Sequence, residues 1–132
     1  MPLQRRKDKK RSPTYYRKKC VTWAKTEAKK RDGYICQHCG RSKDQGWQIH
    51  GSHILPEGTY VSMSADVDNI IALCATCHTG GWRGNKNTSW HNDPIYFAEW
   101  FNKKYPGKYS ELRKRSQDII VVNWENKWEE IK

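Results

Sequence analysis

The chain has 132 residues, with 25 Lys and Arg against 14 Asp and Glu, a formal net charge of +11 at pH 7, and 36% hydrophobic residues. That length allows one compact domain with tails, and a core so small commonly needs a metal or disulfide staple, so the five cysteines are the first feature to explain. No run approaches the roughly 18 apolar residues of a membrane span, and charges occupy the N-terminus where a secretory signal has its apolar stretch. The expectation is a soluble, cytoplasmic protein of a reducing compartment, where cysteines serve metal binding or chemistry more than disulfides.

The positive charge is local. Residues 1–32 hold 13 Lys and Arg against 3 Asp and Glu, while the remaining 100 carry 12 against 11. Residues 1–13 therefore read as a disordered basic arm, because Arg5, Arg6, Lys7, Lys9, Lys10 and Arg11 cannot bury themselves. A polyanion is the natural partner, since each phosphate contact releases counterions. A merely solubilising tail is the plain alternative, and an anionic membrane fits less well because no apolar face accompanies the charge.

Ser12 and Pro13 form a cap and first helical position for a basic amphipathic helix over 14–32, with Tyr16, Cys20, Trp23, Ala24 and Ala28 along its apolar face. Cys20 has no nearby cysteine and reads as core filling. Asp32-Gly33 ends the helix, Cys36 to Gly40 form a tight turn, and Trp47 to Leu55 read as a short strand entering the Pro56-Glu57-Gly58 loop. Asn69 to Leu73 is a second strand, running into a helix opened by Cys74-Ala75-Thr76-Cys77-His78. Residues 79–89, rich in Gly, Asn and Thr, are expected to be loop for at least part of their length. Asp93-Pro94 caps a helix whose apolar face is Phe97, Trp100, Phe101 and Tyr105 with Ala98, ending at Pro106-Gly107. A short helical segment over Ser110–Arg115 follows. Ile120, Trp124, Trp128 and Ile131 favour a last helix, although Ile119–Val122 alone suits a strand.

Cys36/Cys39 and Cys74/Cys77 are two Cys-x-x-Cys pairs. A two-residue gap lets both thiolates of a pair converge on one ion, and two pairs make a closed tetrahedral Zn²⁺ site of structural type. A disulfide pair or an iron-sulfur cluster are the alternatives. His38, between two ligands, is expected to point to solvent.

Between and just after these knuckles stand Ser52-His53-Ile54-Leu55-Pro56, then Asp68-Asn69-Ile70-Ile71-Ala72-Leu73-Cys74, then Cys77-His78. This pattern resembles the HNH endonuclease family in its zinc-containing branch, over roughly Tyr34–His78. The resemblance implies a ββα-metal core, placed over 33–92, which with the helical extension read over 93–132 makes an α+β chain. It also implies metal-dependent hydrolysis of DNA phosphodiesters. In the family's terms His53 is the general base, Asn69 holds the motif or the imidazole in orientation, and His78 is a ligand of a second, catalytic divalent ion, Mg²⁺, Mn²⁺ or another. Such hydrolysis needs a base to activate water and a cation to stabilise the charge on phosphorus and the departing 3′ oxygen.

Two departures stand out. Many family members have Asp or His just before the base, where this chain has Ser52, so His50, Asn69 or His91 must supply the missing ligand. Strand alternation puts His50 on the face opposite His53 unless a bulge at Gly51 intervenes. Thr79-Gly80-Gly81 also interrupts the helix after His78. The later Trp90-His91-x-x-Pro94 element looks like one found in phage-type members, which would place the protein in a host cytoplasm, and it makes His91 the favoured partner of His78 on the metal. Capping the Pro94 helix is the plain alternative for His91.

Candidate phosphate contacts are Arg5, Arg6, Lys9, Lys10 and Arg11 in the arm, Arg17 and Lys18 on the helix, and Arg83 and Lys86 beside the site. Trp90 is expected in the core. A homodimer is expected if both strands are cut. The competing readings are a non-catalytic zinc-ribbon DNA-binding module, an inactive HNH relative, and a protein-interaction domain.

Overall fold

Ser12 accepts the Tyr15 amide and Pro13 supplies a preset first turn, which together start α1 (Pro13–Arg31). This computed structural model describes residues 11–80, 89–118 and 121–132. The last turn of α1 carries Lys29, Lys30 and Arg31, favourable against the negative end of the helix dipole. Its buried stripe is Cys20, Val21, Ala24 and Ala28. Val21 had not been assigned to that face.

The rest of the order is β1 (Ile49–His53), β2 (Ile70–Cys74), α2 (Ala75–Thr79), α3 (Pro94–Lys104), α4 (Lys108–Asp118) and α5 (Trp124–Ile131), with short 3₁₀ turns at Lys43–Gln45, Val61–Met63 and Val67–Asn69. The architecture is α+β: β1 and β2 form a two-stranded antiparallel sheet, with α2 following directly on β2. The register runs unbroken from Ile49 opposite Cys74 to His53 opposite Ile70, so the bulge considered at Gly51 does not occur. Gly51 serves another purpose. A Cβ there would lie 2.8 Å from Lys25 Cβ and 3.1 Å from Lys25 Cα, so its bare backbone lets α1 cross the sheet in close contact.

The first strand is shorter than the expected Trp47–Leu55 at both ends. The Trp47 amide is drawn into a turn, donating to the Ser42 carbonyl at 3.1 Å. At the other end the Asn69 side chain takes both backbone groups of Leu55, so the chain leaves the sheet after His53. β2 is shifted one residue from expectation because Asn69 belongs to the preceding 3₁₀ turn.

Gly80 ends α2 in the left-handed region at φ 67°. α3 is capped by Asp93, which accepts the Tyr96 amide. α4 is longer than the expected Ser110–Arg115. Arg115 pairs with Glu111 one turn back at 2.9 Å and with Asp66 at 2.8 Å, which extends the helix and pins it to the loop before β2. α5 begins at Trp124 behind an Asn123 cap; Ile119 and Ile120 lie outside the described residues.

Two apolar clusters hold these elements. One gathers Cys36, Cys74 and Cys77 with Leu55, Met63, Ile71, Leu73, Trp90, Phe97, Phe101 and Leu112. The other packs α1 on α5 through Cys20, Val21, Ala24, Ala28 and Trp124, with Ile70 and Ala65. β2 contributes to both, so it is the shared wall. Cys20 is fully buried and acts as filling. No helix among the described residues is long and apolar enough to cross a membrane.

Candidate active site and metal centre

The first knuckle is shaped by two backbone bonds: the Cys36 amide donates to the Arg41 carbonyl at 2.7 Å and the Gly40 amide to the Cys36 carbonyl at 2.9 Å. The second knuckle joins the end of β2 to the start of α2. The Gln37 amide donates to the Ala72 carbonyl at 3.0 Å and so ties the two together. As a result, the sulfurs of Cys36, Cys39, Cys74 and Cys77 all lie within 4.8 Å of one another. Tetrahedral Zn–S bonds of about 2.3 Å place sulfurs roughly 3.8 Å apart, and the Cys39 and Cys74 Sγ atoms are 3.6 Å apart. Four thiols so placed can hold a metal ion and are compatible with a zinc site. Their mutual influence is large: a hydrogen bond with Cys77 pulls the Cys36 thiol down to about 4, while the same bond, burial and neighbouring charge push Cys77 up.

His38 does not point to solvent. Its Nδ1 lies 3.3 Å from Cys77 Sγ, its Nε2 is 3.1 Å from the Tyr96 hydroxyl, and its ring packs against Phe97 and Trp100. The aromatic face of α3, needed for the core, also encloses this imidazole. The cysteine cluster is thus joined to α3 by a side chain that sequence reasoning had set aside.

His53 stands at the end of β1, where the chain turns away. Its Nε2 donates to the Ser64 carbonyl at 2.7 Å, which leaves Nδ1 as the nitrogen free to accept a proton. Burial holds its pKa below the ordinary imidazole range; the Ser64 bond and Glu57 act against this, and Lys25 and Arg17 add to it. Ser64 is held in turn by its own loop, and that loop is closed by Asn69. The Asn69 side chain is fully buried. Its Oδ1 accepts the Leu55 amide at 2.8 Å, and its Nδ2 donates to the Leu55 and Met63 carbonyls at 3.1 and 3.0 Å. With its amide committed to three backbone groups, Asn69 ties Leu55 and Met63 together and makes no hydrogen bond to the His53 ring.

His78 lies on α2 and shares a cleft of about 570 Å³ with His53 and His91, the other walls being Lys25, Gly51, Pro56, Glu57, Trp90 and Pro94. His91 arrives there because the chain from Ser89 onward runs back along α2: the Trp90 amide donates to the Cys77 carbonyl at 2.7 Å and the His91 amide to the His78 carbonyl at 3.2 Å. The His78 and His91 rings are 4.6 Å apart, edge to face. Asp93, not His91, caps α3. Trp90 packs in the core beneath.

His50 also reaches His78, with Nδ1 atoms 2.9 Å apart, although the regular register keeps it on the strand face opposite His53. Burial, then His91 and His50, lower the pKa of His78 to about 3, so it is a neutral imidazole with a lone pair to give. The three histidines form a chain through His78. Among the described residues, only the cysteines form a group of three or more potential ligands with all donor atoms mutually within 4.8 Å. Ser52 is buried and is absent from the cleft lining.

Of the basic residues singled out, Arg17 is committed internally, to Glu57 and to Ser64 Oγ, both at 3.3 Å. Lys18 is exposed and lines a second cleft with Thr14, Arg17, Val21, Thr22, Lys25 and Glu57. Lys25 and Glu57 line both clefts, so a groove along α1 leads to the histidines. Neither had been marked in the sequence, whose periodicity shows that α1 is basic but not which lysine faces a strand packed beneath it. Arg11 is exposed and stacks on Tyr15. Arg5, Arg6, Lys9, Lys10, Trp82, Arg83 and Lys86 lie outside the described residues.

Comparison with curated proteins and with solved structures gives no match. Residues 36–80, which take in both cysteine pairs, both strands and α2, match the family model described as HNH endonuclease, and this stretch is the HNH core of the chain.

Proposed function

We propose that the chain is a divalent-metal-dependent endonuclease that hydrolyses DNA phosphodiester bonds, its HNH core braced by a structural Zn²⁺ on the four cysteines. The observation that carries this reading is the convergence on one cleft of His53, His78 and His91 from three separate segments, with the tautomer of His53 set by a backbone carbonyl. His53 Nδ1 takes a proton from water as the water oxygen bonds to phosphorus and the bond from phosphorus to the 3′ oxygen breaks. His78, with His91 beside it, would hold a divalent cation, which when bound would supply charge stabilisation at the phosphate and the departing oxygen. Asn69 acts as a positioning residue, through the loop whose Ser64 carbonyl orients His53.

Lys18 and Lys25 along the α1 groove, with Arg11 at its start, are placed to track a phosphate backbone. The basic arm adds further contacts, and cutting both strands calls for two copies of the chain.

The decisive experiment incubates supercoiled plasmid with the wild type and His53→Ala, with and without divalent ions. Loss of a general base costs about 10²–10⁴-fold, so cleavage should fall by that factor in the variant while DNA binding and zinc content stay unchanged. The absence of acid at position 52 favours a second reading, an inactive HNH relative that only binds DNA. A wild type that binds plasmid but fails to cut it with any of the divalent ions would establish that reading instead.

A further inference from the structure

The position before the base, where a ligand for the cation would be sought, holds a buried serine. Ser52 shares its strand face with His50, two residues back, because the register between β1 and β2 is continuous. His50 is half-buried and its Nδ1 is 2.9 Å from His78 Nδ1, the rings lying edge to face at 82°. Two imidazole nitrogens occupying adjacent corners of an octahedron at about 2.1 Å from one ion lie roughly 3 Å apart. The observed separation, made by a hydrogen bond between the rings, matches that of a cis ligand pair.

We propose that His50 is a ligand of the divalent cation, paired with His78, and that this imidazole pair makes the site selective for Ni²⁺, Co²⁺ or Zn²⁺ over Mg²⁺. Mg²⁺ is a hard ion that keeps its water and prefers carboxylate oxygen, whereas imidazole suits later first-row metals. No carboxylate stands on this strand face, and Glu57, which lines the cleft with His78, is paired with Arg17 at 3.3 Å. A neutral ligand pair also leaves the full double charge of the ion for the phosphate. The inference deepens the nuclease reading and rests on it only for what the cation does once bound.

The test is calorimetric titration of untagged, zinc-loaded full-length protein with Ni²⁺ and, separately, Mg²⁺. Zinc content and melting temperature are checked for each variant. Expected are one equivalent of Ni²⁺ beyond the structural zinc, at least tenfold weaker Ni²⁺ binding in His50→Ala, and Mg²⁺ binding at least a hundredfold weaker than Ni²⁺. His50→Asp, which restores an oxygen donor on the same face, should narrow the gap between the two ions. Unchanged Ni²⁺ affinity in a folded His50→Ala would mean that His50 only hydrogen-bonds His78, and equal affinity for both ions would remove the selectivity; either result overturns the proposal. Plasmid cleavage assayed in parallel separates the two ideas. Ni²⁺ binding lost in His50→Ala without any wild-type cleavage keeps the site and removes the nuclease. Cleavage with Ni²⁺ affinity indifferent to His50 does the reverse.

Discussion

His53, the proposed base, lies among groups of opposite sign that act on its proton affinity. Burial lowers its pKa most, Glu57 raises it, and Lys25 and Arg17 lower it further. A lowered pKa keeps the imidazole neutral, and so able to accept a proton, to more acidic pH than the ordinary value of about 6.5. The acidic limb of kcat/KM should therefore lie below that range at saturating metal. Lys25→Met removes a cation that opposes protonation, so the limb should move to higher pH. Glu57→Gln removes an anion that favours protonation, so it should move to lower pH. Rate profiles over pH 5 to 8 check both signs; shifts in the same direction for the two variants would show that His53 is not the titrating group. The place of His53 at the end of the first strand was legible in the sequence because its neighbours in the motif are contiguous. The carbonyl of Ser64 that fixes its tautomer was not, since no residue pattern states where a loop folds back.

At the scale of the element, Gly51 and Asn69 do the shaping. A bulge at Gly51 was the alternative to regular strand alternation, because glycine in a strand often marks one. The use of Gly51 is instead the contact with α1, for which the sequence has no signal, as the strand pattern alone does not reveal which helix crosses it. An alanine there would place Cβ 2.8 Å from Lys25 Cβ and 2.9 Å from Cγ, with Cα only 3.1 Å away. Side-chain rotation relieves the contact with Cγ but not those with Cβ and the backbone, so α1 must lift from the sheet. Overpacking of this kind costs about 1–3 kcal/mol. Gly51→Ala should lower the urea midpoint accordingly with an unchanged slope, and an unaltered midpoint would mean that α1 is free to move. The strand ends show the same limit. Periodicity located the two strands, but Asn69 takes Leu55 out of the first one through its side-chain amide, a tertiary effect that outweighs local pattern.

Across the whole molecule, the cysteine cluster and the histidine cleft are mechanically in series. Cys74 and Cys77 bracket the junction of β2 with α2, and His78 is the next residue on that helix. Cys77 also accepts the backbone of Trp90 and contacts His38, so His91 and α3 are positioned through the same knuckle. Cys36, Cys74 and Cys77 are themselves part of the larger apolar cluster. Removing the metal should therefore disperse the core and the cleft together. Apparent binding energies of structural Zn²⁺ are about 10–16 kcal/mol in small domains, as large as the whole stability of a typical domain, about 5–15 kcal/mol. A high-affinity chelator should thus abolish the near-ultraviolet signal of Trp90 and Trp100, which pack in or against that cluster, and with it any binding of a second ion. Ni²⁺ alone should fail to restore either, because its proposed ligand His78 is placed only once the knuckle is closed, whereas added Zn²⁺ should restore both. A chelated protein that kept its tryptophan signal and still bound one equivalent of Ni²⁺ would show that the histidine cleft stands without the cysteine clip.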